Sequence, residues 1–124
     1  MENDLMINRL ESEKAFKSAI RKSEKALAQM TQEGSNTTLL VKRLAALQTG
    51  LAVLESLWDH RPSSCSLEDM RDARKVLSEL LPSLRAHYGK TKEGSPQRTL
   101  LERRIKAMEL ALQAMDDSEP RTIS

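Results

Sequence analysis

Aromatic residues are almost missing from this chain of 124 residues, which holds one Phe, one Trp and one Tyr. Its core must therefore be filled by Leu, Met, Ile, Val and Ala, a composition that packs between helices far better than within sheets, and an all-β fold is not expected. Cysteine is equally scarce. A lone Cys65 closes no intramolecular disulfide, which argues against the disulfide-stapled secreted scaffolds and for a reducing compartment. No apolar run reaches the roughly 20 residues that span a bilayer as helix, and the acidic start Met1-Glu2-Asn3-Asp4 is unlike the basic region of a secretion signal. These absences point to a soluble cytoplasmic protein with no membrane partner. Charge of one sign is lacking too: 20 basic against 18 acidic residues leave a formal net charge of +2.

Recognisable chemistry is missing as well. His60 and His87 have no Asp, Glu or Cys at metal-ligand spacing, so no metal site is expected, and a partly charged His60 is favoured by the carbonyls of a helix C-terminus. Cys65 has only the distant His60 as a base and no evident oxyanion partner. The four glycines form no phosphate-cradling loop. The pairs Glu68-Asp69 and Asp116-Asp117 read as helix-end residues, the second pair unfavourably placed against the helix dipole, so fraying is expected there. The expectation is a protein without catalytic residues, without a cofactor and without enzymatic activity.

What the sequence does contain is helical periodicity. Leu40, Leu44, Leu47, Leu51, Leu54 and Trp58 are spaced by fours and threes and share one helix face. Asn36, Thr37 or Thr38 caps this helix at its start, and Asp59-His60-Arg61-Pro62 ends it. The same spacing returns in Leu101, Ile105, Met108, Leu112 and Met115, behind a Ser95 cap with Pro96 in the first turn. A third stripe runs through Phe16, Ile20, Leu27 and Met30, with Ser23 in the intervening slot and a stop at Glu33-Gly34. It starts near residue 4, where Leu5 and Met6 join its face while Ile7 and Leu10 point away. The remaining helix begins at Ser66, with Asp69 three residues on, and turns Met70, Ala73, Leu77, Leu80 and Leu84 inward. Pro82 predicts a kink or break near Leu80, with a short second piece ending near Tyr88-Gly89.

The two halves resemble each other. Glu33-Gly34-Ser35 and Thr38-Leu39-Leu40 return as Glu93-Gly94-Ser95 and Thr99-Leu100-Leu101, and the match continues through Arg43 with Arg104, Leu44 with Ile105, Ala46 with Ala107, Leu47 with Met108 and Leu51 with Leu112. Extended backward at the Glu33-to-Glu93 offset, it pairs Phe16 with Val76 and Ile20 with Leu80. One hairpin exposes its apolar stripe, whereas two hide each other. The expected fold is all-α: an antiparallel four-helix bundle of two repeated helical hairpins, at about 4–60 and 66–118, in one domain over 1–118 followed by a disordered tail at 119–124. Gly50 on the seam implies close approach of a neighbouring backbone, and Ala111 holds the matched place.

The residues singled out for a partner or phosphate contact are Lys14, Lys17, Arg21 and Lys25, on one helix face away from Phe16 and Ile20, together with Trp58 and Tyr88. Lys22 lies beside the stripe, and Arg103, Arg104 and Lys106 on the last helix extend it. The near-neutral total charge and the lack of stacking aromatics favour a solvated face held by local ion pairs over nucleic-acid binding. Trp58, being on the seam, is expected to close the bundle end. The reading is a non-enzymatic helical module that binds another protein or a second copy of itself; the alternative is a small nucleic-acid-associated regulator.

Overall fold

In the computed structural model the described residues are 2–62 and 65–118, with side chains described over 9–62 and 65–117. They form four helices, α1 (Glu2–Gln32), α2 (Thr38–Trp58), α3 (Leu67–Lys90) and α4 (Pro96–Ser118), and no strand. The expected tail at 119–124 and the side chains of Leu5, Met6 and Ile7 lie outside the described residues. Helix α1 and helix α3 each lie against both α2 and α4, which touch each other through the middle, so the bundle is a central pair flanked on two sides.

Local chemistry sets most of the helix ends. Ser66 caps α3 by accepting the Asp69 N–H at 3.0 Å, and Ser95 caps α4 by accepting the Arg98 N–H at 3.2 Å, with Pro96 as the first helical residue. At α2 the cap side chain is Asn36, whose Oδ1 accepts the Thr38 N–H at 3.0 Å, whereas Thr37 makes no side-chain cap bond. Helices α1 and α2 both end in a turn with a left-handed residue. Gly34 takes that place after α1 (φ 74°), with the Ser35 N–H bonded back to the Met30 carbonyl. His60 takes it after α2 (φ 54°), with the Arg61 N–H bonded back to the Ser56 carbonyl. His60 thus closes a helix, as its position implied, and does so through backbone geometry.

Three expectations need correction. Of the kink or break expected at Pro82, the break is absent: α3 runs continuously from Leu67 to Lys90, with Pro82 exposed while Leu77 and Leu81 stay buried. A proline costs one backbone bond and about 3 kcal/mol in a helix interior; here the leucines on either side are packed in the core, which offsets that loss. Helix α4 does not fray at Asp116, whose carboxylate meets Arg74 of α3 at 2.7 Å. The neighbours of Gly50 are side chains: a Cβ there would lie 3.1 Å from Phe16 Cε1 and 3.2 Å from Leu77 Cδ1.

The inward face of the central pair also sits one step from the leucine stripe. Leu47, Leu51 and Leu54 are buried, but Leu40, Leu44 and Trp58 are half-buried, and the equally deep positions are Ala46, Gly50 and Val53. On α4 Leu101, Met108 and Met115 are buried, Ile105 and Leu112 half-buried, and Ala107, Ala111 and Ala114 complete the interior. Small residues there leave room for large side chains of the flanking helices, as Gly50 does for Phe16 and Leu77.

Burial recurs in the second hairpin with one constant shift. Ala46, Leu47, Gly50, Val53 and Leu54 correspond to Ala107, Met108, Ala111, Ala114 and Met115, and the same shift takes Ser12, Phe16 and Ile20 to Ala73, Leu77 and Leu81. Phe16 therefore corresponds to Leu77, not to the half-buried Val76. The register moves because the two Glu-Gly-Ser segments do different jobs: Gly34 ends α1, whereas Gly94 (φ 81°) sits in a turn closed by the Ser95 N–H and the Lys92 carbonyl, after α3 has already stopped at Lys90.

Candidate functional site

Five cations gather on α1 between residues 14 and 25. Lys14, Lys17, Arg21, Lys22 and Lys25 are all exposed and line a shallow furrow along the helix with Ser18. None makes an ion pair among the described residues, so the expected local pairing is not what holds this face. The acids upstream are engaged elsewhere: Glu13 with Arg9 at 3.5 Å and Glu11 with Arg103 at 3.5 Å. By contrast, arginines of α3 reach across to α4, Arg74 to Asp116 at 2.7 Å and Arg85 to Glu109 at 2.8 Å.

Trp58 and Tyr88, the two proposed anchors, are half-buried and each lies under an arginine. The Arg9 guanidinium stands 5.3 Å from the Trp58 ring centre and donates to Asp59 Oδ1 at 2.8 Å. That hydrogen bond, with a second from Arg61, holds the Asp59 carboxyl below its usual range and raises Arg9. Trp58 packs against the core at the end of α2, as its seam position implied. Arg98 stands 4.2 Å from the Tyr88 ring centre and donates to the Thr91 carbonyl at 3.2 Å. Both aromatics are thus engaged within the chain, and they are not brought together with the α1 cations.

Two grooves were not anticipated. The larger, about 540 Å³, runs between α2 and α3, that is, between the hairpins. The small residues Ala45, Ala46, Thr49 and Ala73 line it with Val76 and Leu80; its charged residues are Lys42 and Arg43 from α2 and Asp69, Asp72, Lys75 and Glu79 from α3. Helix α2 has three charged residues, Lys42, Arg43 and Glu55, and it carries three of the large exposed hydrophobics, Leu39, Val41 and Leu57. That poverty of charge is visible in the sequence and was the signal for this face.

The smaller groove, about 280 Å³, is lined by residues of all four helices at the end where both hairpin turns lie. Lys22, Arg43 and Arg104 stand on it, the last half-buried with its Nε buried and lacking a hydrogen-bond partner. Burial lowers the Arg104 pKa from its ordinary value. Arg43 and Arg104 are the residues paired by the internal match, which located them without showing that they share a groove. No group of three or more His, Cys, Asp or Glu is placed to hold a metal ion, and no helix is long and apolar enough to cross a membrane, among the described residues. No protein-family model, curated protein or solved structure matches the chain.

Proposed function

We propose that the chain is a non-enzymatic protein-binding module that associates with a second copy of itself through the face between α2 and α3. The carrying observation is the α2–α3 groove, whose small-residue lining and apolar edge lie beside a helix with exposed Leu39 and Val41. Its charges support a like partner: Lys42, Arg43 and Lys75 are balanced by Asp69, Asp72 and Glu79, so a second copy of the same face offers each sign its opposite. The shared burial register supports a duplicated hairpin as the origin of the bundle. Light scattering over a concentration series tests the reading. The expected result is a mass rising toward twice that of the chain, with Ala45→Arg holding it at one chain. A constant single-chain mass overturns self-association, and a doubled mass insensitive to Ala45→Arg moves the interface elsewhere.

A second reading, nucleic-acid association, is favoured by the unpaired cations of α1. Titration of labelled DNA and RNA at two salt concentrations addresses it. Binding that weakens steeply with salt supports it, since displaced counterions set that slope, and no binding at low salt removes it.

A further inference from the structure

At the turn end of the bundle α1 presents small side chains. Ala19, Ser23 and Ala26 line the smaller groove, where α3 supplies Leu80 and Leu84. In the register set by burial, Ala19 corresponds to Leu80 and Ser23 to Leu84, so the half-site filled by leucine in the second hairpin is left open in the first. The groove exists because two leucine volumes are missing from α1. Its remaining apolar surface comes from Leu40, Leu47 and Met108.

The charged groups on this groove are of one sign. Lys22, Arg43 and Arg104 contribute to its lining and no carboxylate does. None of the three is ion-paired among the described residues, and the Arg104 Nε is buried with no acceptor. A buried donor without a partner is costly, and a guanidinium is shaped to give parallel hydrogen bonds to a carboxylate or a phosphate. An anion alone would match the charge of the three cations and leave the leucines wet. An uncharged hydrocarbon would cover the leucines and leave the cations without a counter-charge.

We propose that this groove binds a small amphiphilic anion, its aliphatic chain against Leu80, Leu84 and Met108 and its carboxylate or phosphate head held by Arg104, Arg43 and Lys22. The size limits the occupant to a short chain: about 280 Å³ lies just under the usual range of ligand-pocket volumes, which begins at about 300 Å³. This inference does not rest on self-association through the α2–α3 face, although Arg43 and Leu80 line both grooves.

The test titrates the full chain with octanoate, octyl phosphate, octanol and inorganic phosphate, following the Arg104 Nε–H and Met108 methyl signals by NMR. At least one of the two amphiphiles is expected to move both signals and to bind at least about tenfold more tightly than octanol or phosphate, the difference a charge-assisted hydrogen bond supplies. The tighter of octanoate and octyl phosphate identifies the head group. Ser23→Leu, which installs the side chain of the matched position, is expected to abolish binding with the helical circular dichroism unchanged, and Arg104→Met to weaken it about tenfold or more. Binding of octanol or inorganic phosphate as tight as that of the tighter amphiphile, failure of both amphiphiles to bind, or unchanged binding by Ser23→Leu would overturn the proposal.

Discussion

Helices α1 and α3 occupy matching places against the same central pair, yet one leaves a groove and unpaired charge where the other is closed. At mid-height they agree: Phe16 and Leu77 are both buried and both reach over Gly50. Toward the turns they part, with Ala19 and Ser23 on α1 where α3 has Leu80 and Leu84. Their outer faces differ in the same sense. Arg74 and Arg85 of α3 are tied to α4 carboxylates, whereas Lys14, Lys17, Arg21, Lys22 and Lys25 of α1 make no ion pair among the described residues. A common register fixes where the helices sit; side-chain volume and charge pairing decide which of them is left with open, uncompensated surface.

The largest expected effect breaks or keeps that register. Leu77→Ala should cost about 2–5 kcal/mol in chemical denaturation, as for fully buried leucines, and Val76→Ala clearly less because Val76 is only half-buried. Equal losses would restore the alternative pairing of Phe16 with Val76. Next, Ser23→Leu should raise stability by about 1–2 kcal/mol by covering apolar surface that the wild type leaves in the groove. A loss would mean that the groove cannot accept the volume α3 carries. Gly50→Ala sets about 1 kcal/mol of helix propensity against overpacking of about 1–3 kcal/mol. Because the nearest atoms belong to a buried ring and a buried leucine, 3.1 and 3.2 Å away, a net loss near 1 kcal/mol is expected, relieved by Phe16→Leu.

The smallest effect concerns the end where Arg9 meets α2. Asp59 has a folded pKa below its ordinary 3.8, first through the Arg9 hydrogen bond, so its contribution is present above that value and is lost as pH falls through the folded one. Asp59→Asn should therefore flatten the acid limb of stability measured by thermal melts below about pH 4. An unchanged acid limb would show that the Arg9–Asp59 contact is not held in solution.

What could be read from the residues was what local chemistry decides. Ser66 and Ser95 announce helix starts because a hydroxyl three residues before a free N–H has one obvious partner, and Trp58 follows from its place on a periodic stripe. The interior axis was misplaced because large leucines dominate any reading by apolarity, while the deepest contacts run along Ala46, Gly50, Ala107 and Ala111. Pro82 was judged by its local cost, and the leucines around it reverse that judgement through packing. The basic stripe of α1 was visible; its lack of ion partners was not, since pairing depends on which helix lies alongside. The groove at Arg104 needed two facts of different range, the smallness of Ser23 and the position of Leu84 on another helix.

The central claim, that both hairpins of one chain close on a shared interior, is tested most directly by nuclear Overhauser effects between the Phe16 ring and the Leu77 methyls. Phe16 Cε1 and Leu77 Cδ1 both lie within 3.2 Å of the point a Gly50 Cβ would occupy, so strong cross-peaks are predicted within a single labelled chain. Their absence, or their appearance only between chains in a mixed-label sample, would contradict the account.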